Sequence, residues 1–261
     1  MNYLKEIKKL EPIQKFGGRT NDVSMYNLCG EKVVLIERKD VDLEEHHPYE
    51  RISVPRRIGL SKENIYWMNF SQQLEHSQEL RNEGLNIAEF LEVGKNYVVR
   101  EFKNLKTLKE KIANEEYFPL RKWLEGISIA REKNIPLTDR ITWNCFIDRN
   151  MNPIYFDFDL GSSDNEYSLA QAIFYSTWLS PNPEKAFEIL KEPIEKNIKG
   201  KFDGEKLIKF IGNYNERITN PSHPETFLYK IECPPNINTN EEREEHSEKI
   251  KETLQEIKLL K

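Results

Sequence analysis

Leu137 to Gly161 reads LTDRITWNCFIDRNMNPIYFDFDLG, and the remainder of the chain is interpreted outward from it. Two short apolar runs, Cys145–Ile147 and Pro153–Phe156, flank the turn-prone Asp148-Arg149-Asn150-Met151-Asn152. β-formers on either side of such a cluster predict a hairpin. Asp139, Asn144 and Asp157 then fall at one end of that hairpin. A carboxylate five residues before an amide, with a second carboxylate closing the far strand, suits phosphoryl transfer from a metal-bound nucleotide. One acid orients or accepts the proton of the attacking hydroxyl, while the amide and the other acid offer oxygen to a hard cation. The same residues also fit an ordinary hairpin with Asp and Asn in its turns, where both are favoured anyway.

At 261 residues the chain can bury a core, as one large domain or as two lobes. Charged residues are 32% and hydrophobic residues 38% of it, more charged than an average globular chain but short of the disordered range. The formal charge of −5 leaves no global footprint for nucleic acid or an anionic membrane. A nucleotide site must therefore be basic locally. Cys29, Cys145 and Cys233 are widely spaced and form no Cys-x-x-Cys, which reads as reduced thiols. The opening MNYLKEIKKL lacks an apolar leader, and no run of about 18 apolar residues occurs, so the expectation is a cytoplasmic protein with no membrane span.

Asp139-x-x-x-x-Asn144, followed thirteen residues later by Asp157-Phe158-Asp159, resembles the catalytic loop and metal-binding motif of the protein-kinase-like superfamily. The pattern is closest to the aminoglycoside, choline and lipopolysaccharide-sugar kinases, where the last motif commonly reads DFD or DFE. The resemblance implies that Asp139 is the catalytic aspartate and that Asn144 and Asp157 hold magnesium. Leu137 and Thr138 depart from the pattern, standing where family members often carry His and Arg or Gly. The implied fold is α+β and two-lobed: an antiparallel five-stranded small lobe at 1–103, and a mainly helical large lobe at 104–261 with the catalytic hairpin at 137–161.

Along the chain, Leu4, Ile7 and Leu10 form one helical stripe ahead of the first strand. PIQKFGGRTNDVSMYNLCGEKVVLIERKD then reads as strand, glycine turn, strand, tight turn, strand. In the resembled fold this is the phosphate-covering hairpin and the strand with the ATP-anchoring lysine. Gly17 and Gly18 let backbone N–H groups approach phosphates, although a plain β-turn fits them equally. Glu37 falls where the lysine is expected. Arg38, on one strand face with Ile36, is the first choice for that role and Lys39 the second; a solvated strand end fits all three. Residues 40–66 read as a charged insertion, with a basic cluster at Arg51, Arg56 and Arg57.

A helix from Asn69 to a stop at Gly84 places Phe70, Leu74 and Leu80 inward. The resemblance implies that it supplies the glutamate partner of the basic residue, Glu75 first and Glu79 second. Tyr97 to Phe102 match the strand that enters the adenine-binding hinge, assigned to Glu101, Phe102 and Lys103. FPLRKWLEGISIAREKN is a helix with Trp123, Leu124, Ile127 and Ala130 along one side. PEKAFEILKEPIEKNIK is a helix broken at Pro193. EEREEHSEKIKETLQEIKLLK is a charged helix whose stripe, Ile250, Leu254, Ile257 and Leu260, suits either the large lobe or a partner.

Nine positions separate Asp157 from Glu166, where an apolar helix begins. Protein kinases carry a longer segment there, on which peptide docking and regulation take place. The expected reaction is thus transfer of the γ-phosphoryl group of ATP, with magnesium, to a hydroxyl of a small molecule or sugar. Two rivals stand beside it: a pseudokinase that binds nucleotide or a protein partner without turnover, and an atypical protein kinase whose protein substrate meets the basic insertion. The sequence is silent on oligomeric state.

Overall fold

The computed structural model describes residues 2–16, 21–39, 65–133, 135, 144–156, 160–162, 165–201, 205–206, 208–209, 212, 237 and 239–256. The chain is α+β. Among the described residues its strands are β1 (Gln14–Phe16), β2 (Asn21–Leu28), β3 (Glu31–Arg38), β4 (Ile65–Trp67), β5 (Phe90–Val93), β6 (Tyr97–Glu101), β7 (Cys145–Ile147), β8 (Pro153–Tyr155) and β9 (Leu160–Ser162). Five of them make one antiparallel sheet in the order β1-β2-β3-β6-β5. Cys29 and Gly30, with φ of 54° and 93°, close β2 onto β3. Two positive φ values are what a two-residue hairpin turn demands, and glycine meets the second without strain.

Alternation along the strands gives this sheet two different faces. Val33, Leu35 and Val99 point to one side, where they pack with Leu28 and Ile7. Ile7 belongs to α1 (Tyr3–Ile7), a short helix laid over that face. Glu92 holds α1 in place: its carboxylate accepts from the Leu4 N–H at 3.2 Å and from the Tyr97 hydroxyl at 2.6 Å. Leu4 and Ile7 follow the expected stripe, whereas Leu10 lies past the helix end and is exposed.

The opposite face receives α2 (Phe70–Asn82), which is inserted in the chain between β3 and β5. Asn69 and Gln72 form a reciprocal capping box at its start, and Gly84, at φ 85°, ends it. Phe70, Gln73, Ser77 and Leu80 are its buried residues.

The larger core is helical. It joins α3 (Leu108–Ala113), α4 (Phe118–Glu132), α5 (Asn165–Trp178), α6 (Pro183–Lys201) and α7 (Asn240–Gln255). Every described side chain of α5 is buried, which is why its sequence lacks a polar face. The expected break at Pro193 is corrected by the structure: α6 runs through it. Ala186, Phe187, Leu190 and Ile194 anchor α6 in the core on both sides of the proline, and that burial outweighs the roughly 3 kcal/mol a mid-helix proline costs. No helix among the described residues is long and apolar enough to cross a membrane.

Two small ladders lie outside the sheet. β7 and β8 form the expected hairpin, with Phe146 opposite Ile154. β4 and β9 pair Trp67 with Leu160 and Ile65 with Ser162; a three-residue pairing across so much chain leaves no local trace for sequence reading to find. Tyr155 ties the hairpin to α4. Its hydroxyl donates to the Trp123 carbonyl at 2.9 Å, and a Cβ added at Gly126 would sit 2.0 Å from that hydroxyl.

Two expectations follow from this packing. Gly126→Ala lowers stability by about 1–3 kcal/mol through overpacking, and adding Tyr155→Phe in the same chain recovers part of the loss, as urea unfolding of the single and double variants reads out. The second concerns His246 of α7, whose Nε2 donates to the Trp178 carbonyl at 2.9 Å in a buried setting. Burial pushes its pKa below the ordinary 6.5, outweighing the raising effect of that carbonyl. The unfolded chain therefore binds the proton more readily, so stability is full above about pH 6.5 and declines as pH falls below it. Half-buried His76 is shifted down by burial and adds with the same sign. The urea midpoint drops between about pH 7.5 and about pH 5.5, and His246→Gln reduces that drop.

Candidate active site

The site is built upward from the β7–β8 hairpin. Cys145 and Ile147 enter the large core, so Phe146 between them points the other way and remains half-buried. It stacks on Phe156 with ring centroids 4.2 Å apart. Asn144, at the head of β7, is 7% exposed, and its carbonyl accepts from the Phe156 N–H at 3.4 Å. Asn144 is thus beside the residue that precedes Asp157. Asp157 itself, Asp139, Gly17 and Gly18 lie outside the described residues.

Backbone hydrogen bonds fix where this hairpin stands. Tyr155 donates to the Asn86 carbonyl and accepts from the Ala88 N–H, both at 2.9 Å, and the Ile147 N–H reaches the Lys106 carbonyl at 2.9 Å. Arg81 of α2 clamps the same connection, donating to the carbonyls of Ile87 and Ala88 at 3.1 and 3.0 Å. The hairpin therefore hangs from the chain that leaves α2 and from the link that follows β6.

The α2-facing side of the sheet is defined by register. Phe16 pairs with Val23, Val23 with Ile36, Met25 with Val34, and Val34 with Arg100, so all of these share a face with Arg38. Phe16, Val23, Val34 and Ile36 keep exposed surface there, which makes an apolar strip beside the two arginines.

The two basic candidates at the end of β3 are separated by direction. Arg38 turns toward α2, donating to the Met68 carbonyl at 3.0 Å with its guanidinium 5.0 Å from the Phe70 ring. Lys39 forms an ion pair with Asp22 at 3.3 Å. Met68 directly follows β4, and β4 pairs with the strand that follows 157–159. Arg38 is in this way connected to the neighbourhood of the DFD motif, and Lys39 is engaged at β2.

Glu75, expected to partner the basic residue, is exposed on α2, as is Glu79. The helix presents Gln73 to the sheet instead. Its Oε1 accepts from Arg100 at 2.8 Å, and its Nε2 donates to the Met68 carbonyl at 3.2 Å. Arg100 is 5% exposed and lies 4.2 Å from the Phe90 ring. At the expected hinge, the N–H groups of Glu101 and Phe102 bond to the carbonyls of Glu89 and Lys32 at 3.2 and 3.1 Å. Lys103 pairs with Glu101 at 2.5 Å, and the chain beyond is irregular as far as Thr107.

Gln73, Arg100, Phe146 and Phe156 were not among the expected site residues. The alternation of Cys145-Phe146-Ile147 does carry the signal for the phenylalanine, because a strand with two inward neighbours must turn its middle residue outward. Gln73 and Arg100 carry none, since polarity argues against burial. No group of His, Cys, Asp or Glu placed to hold a metal occurs among the described residues. No protein-family model matches the chain, and no curated protein matches it.

Proposed function

We propose that the chain is a two-lobed phosphotransferase of the protein-kinase-like type, which moves the γ-phosphoryl group of ATP to a hydroxyl of a small molecule or sugar. One observation carries the reading. A five-stranded antiparallel sheet has a helix inserted between its third and fourth strands in the chain, and the face under that helix combines a partly bare apolar strip with an inward arginine. The connection leaving the helix is bonded directly to the hairpin that holds Asn144. That is the arrangement expected of residues 1–103 as a nucleotide-binding lobe above a catalytic hairpin. α5 begins at Asn165, so only residues 158–164 separate it from Asp157; so short a segment favours a small acceptor over a docked peptide.

In this reading Asp139 aligns the acceptor hydroxyl and takes its proton. Arg38 steadies the phosphates, with a planar guanidinium suited to bidentate contact. Phe146, with Phe156 stacked beside it, offers an aromatic face to the base, and the strip at Phe16, Val23, Val34 and Ile36 offers an apolar one. Asn144 and Asp157 offer an amide and a carboxylate oxygen, a donor set that fits a hard cation. Magnesium held there supplies charge neutralisation on the transferring phosphoryl group. The residues themselves act by positioning and by fixed charge.

Calorimetric titration of ATP with magnesium tests the site: binding is saturable in the native chain and lost in Asp157→Ala. Absence of binding at millimolar nucleotide would sink the reading. Asp139→Asn leaves nucleotide binding in place and lowers turnover by about 10²–10⁴-fold in an acceptor screen. Phe146→Ala weakens nucleotide binding by about tenfold through lost stacking on the base, with little change in melting temperature because the ring is only half-buried.

The pseudokinase reading draws on a separate observation: α2 turns an amide, not an acid, toward the sheet arginines. Its signature is nucleotide binding that responds to Asp157→Ala with no transfer to any acceptor, and no difference between the native chain and Asp139→Asn.

A further inference from the structure

Among the described residues the buried apolar side chains form two cores that share no member. One lies on the outer face of the sheet, where Leu28, Val33, Leu35 and Val99 surround Ile7 of α1. The other is the helical core, and it includes Met68, Leu80, Leu85 and Ile87. These four come from the residue ahead of the α2 cap, from its last turn and from the connection that leaves it. α2 is therefore seated at both ends in the helical core, although in the chain it stands between two strands of the sheet. Glu83, at its C-terminal end, adds an ion pair to Lys133 at the end of α4.

Toward the sheet α2 makes a different kind of contact. Arg38 and Gln73 both donate to the Met68 carbonyl, Gln73 accepts from Arg100, and the two guanidinium groups lie over Phe70 and Phe90. Phe70 and Val98 are buried on this side but belong to neither core. Polar contacts of this kind are exchanged for water at small net cost, whereas lifting α2 from the helices exposes Met68, Leu80, Leu85 and Ile87 together. The weaker seam thus runs between the sheet and α2.

Backbone bonds show where the chain crosses that seam. Ala88 belongs to the helical side: its N–H donates to the Tyr155 carbonyl at 2.9 Å, and its carbonyl accepts from Arg81 at 3.0 Å. The next residue belongs to the sheet. The Glu89 carbonyl accepts from the Glu101 N–H, and the Glu89 N–H donates to the Glu101 carboxylate, both at 3.2 Å. The same change of allegiance follows β6, where the Phe102 N–H bonds to Lys32 of the sheet and the Lys106 carbonyl accepts from Ile147 of the hairpin. Residues 103–105 form no backbone hydrogen bond among the described residues.

We propose that the sheet with α1 is a rigid lid that swings on two pivots, the 88–89 peptide and residues 103–105, while α2 stays fixed to the hairpin and the helices. β5 and β6 are antiparallel neighbours, so the start of one and the end of the other bring both pivots to the same edge. A few residues at element ends are enough to absorb such a rotation. The swing alters the gap between the apolar strip on the sheet and Phe146 on the hairpin, and it leaves Asn144 where it is. Only the choice of nucleotide as the closing ligand rests on the phosphotransferase reading; the hinge does not.

Spin labels on the full chain, read by pulsed dipolar distance measurement, test this. Cys29 marks the sheet, Gln78→Cys marks α2 and Glu188→Cys marks α6, all at exposed positions. Cys233→Ser is present throughout, and Cys29→Ser is added for the α2–α6 pair. Without ligand, both distances from Cys29 are broadly distributed and the distance between positions 78 and 188 is narrow. Magnesium-ATP shifts the two Cys29 distances by about 2 Å or more and leaves the third unchanged. Position 78 keeping a narrow distance to Cys29 and a broad one to 188 overturns the proposal, because α2 then travels with the sheet. Three narrow distributions that magnesium-ATP does not move overturn it as well. Broad Cys29 distances with no response to magnesium-ATP support the hinge and count against the phosphotransferase reading alone.

Discussion

The backbone of Tyr155 makes the junction on which the arrangement depends. Its N–H and carbonyl are both bonded to the connection that leaves α2, and its hydroxyl is bonded to α4 against the bare face of Gly126. Arg81 holds the same connection from the helix side. Each such bond contributes only about 1 kcal/mol net, but those to Tyr155 hold one residue from two sides, the 86–88 connection and α4. The strand that leads to Asp157 can move only if α2 and α4 move with it. Asn144, at the head of β7, thus inherits its position from the backbone hydrogen bonds that hold the hairpin.

The sheet meets a second constraint, which is to bury arginine. Its outer face is conventional, with Val33, Leu35 and Val99 closed off by Ile7 of α1. Its inner face carries Arg38 and Arg100, whose desolvation is costly unless the guanidinium groups are bonded. The chain offsets that cost with the Met68 carbonyl, the Gln73 amide and two aromatic faces. Lysine could not be accommodated in the same way, because a compact ammonium lacks the flat face that lies on a ring and the forked donors that serve an amide or carbonyl beside it.

Local features of this fold were legible in the sequence. The Cys145–Ile147 and Pro153–Phe156 runs predicted the hairpin, and Asn69 with Gln72 carried the start of α2 in their own chemistry. The inward face of α2 was legible in part: Phe70 and Leu80 are buried as expected, and Leu74 is only half-buried. A hydrophobic rule selects Leu74 and leaves the glutamates to do the pairing, whereas the structure buries Gln73 and Ser77. The cause lies in β6, where Arg100 offers donors that only a polar helix residue can accept. α6 makes the same point through Pro193: a local breaker was overridden by the burial of Phe187 and Ile194 on either side of it. In each case the deciding atoms belong to another element of the chain.

The β4–β9 ladder has a consequence for the order in which the protein assembles. β2 and β3 meet across a two-residue turn and can form almost at once, whereas Ile65 must find Ser162 across most of the intervening chain. Closing a loop of that length costs entropy that three residue pairs repay poorly, so the ladder forms only after the sheet, α2 and the hairpin are already in place. Contacts that form last are also among the first to open in the native state. Amide exchange should then be fastest where Trp67 meets Leu160, so the segment beside the DFD motif breathes while the junction at Tyr155 stays closed.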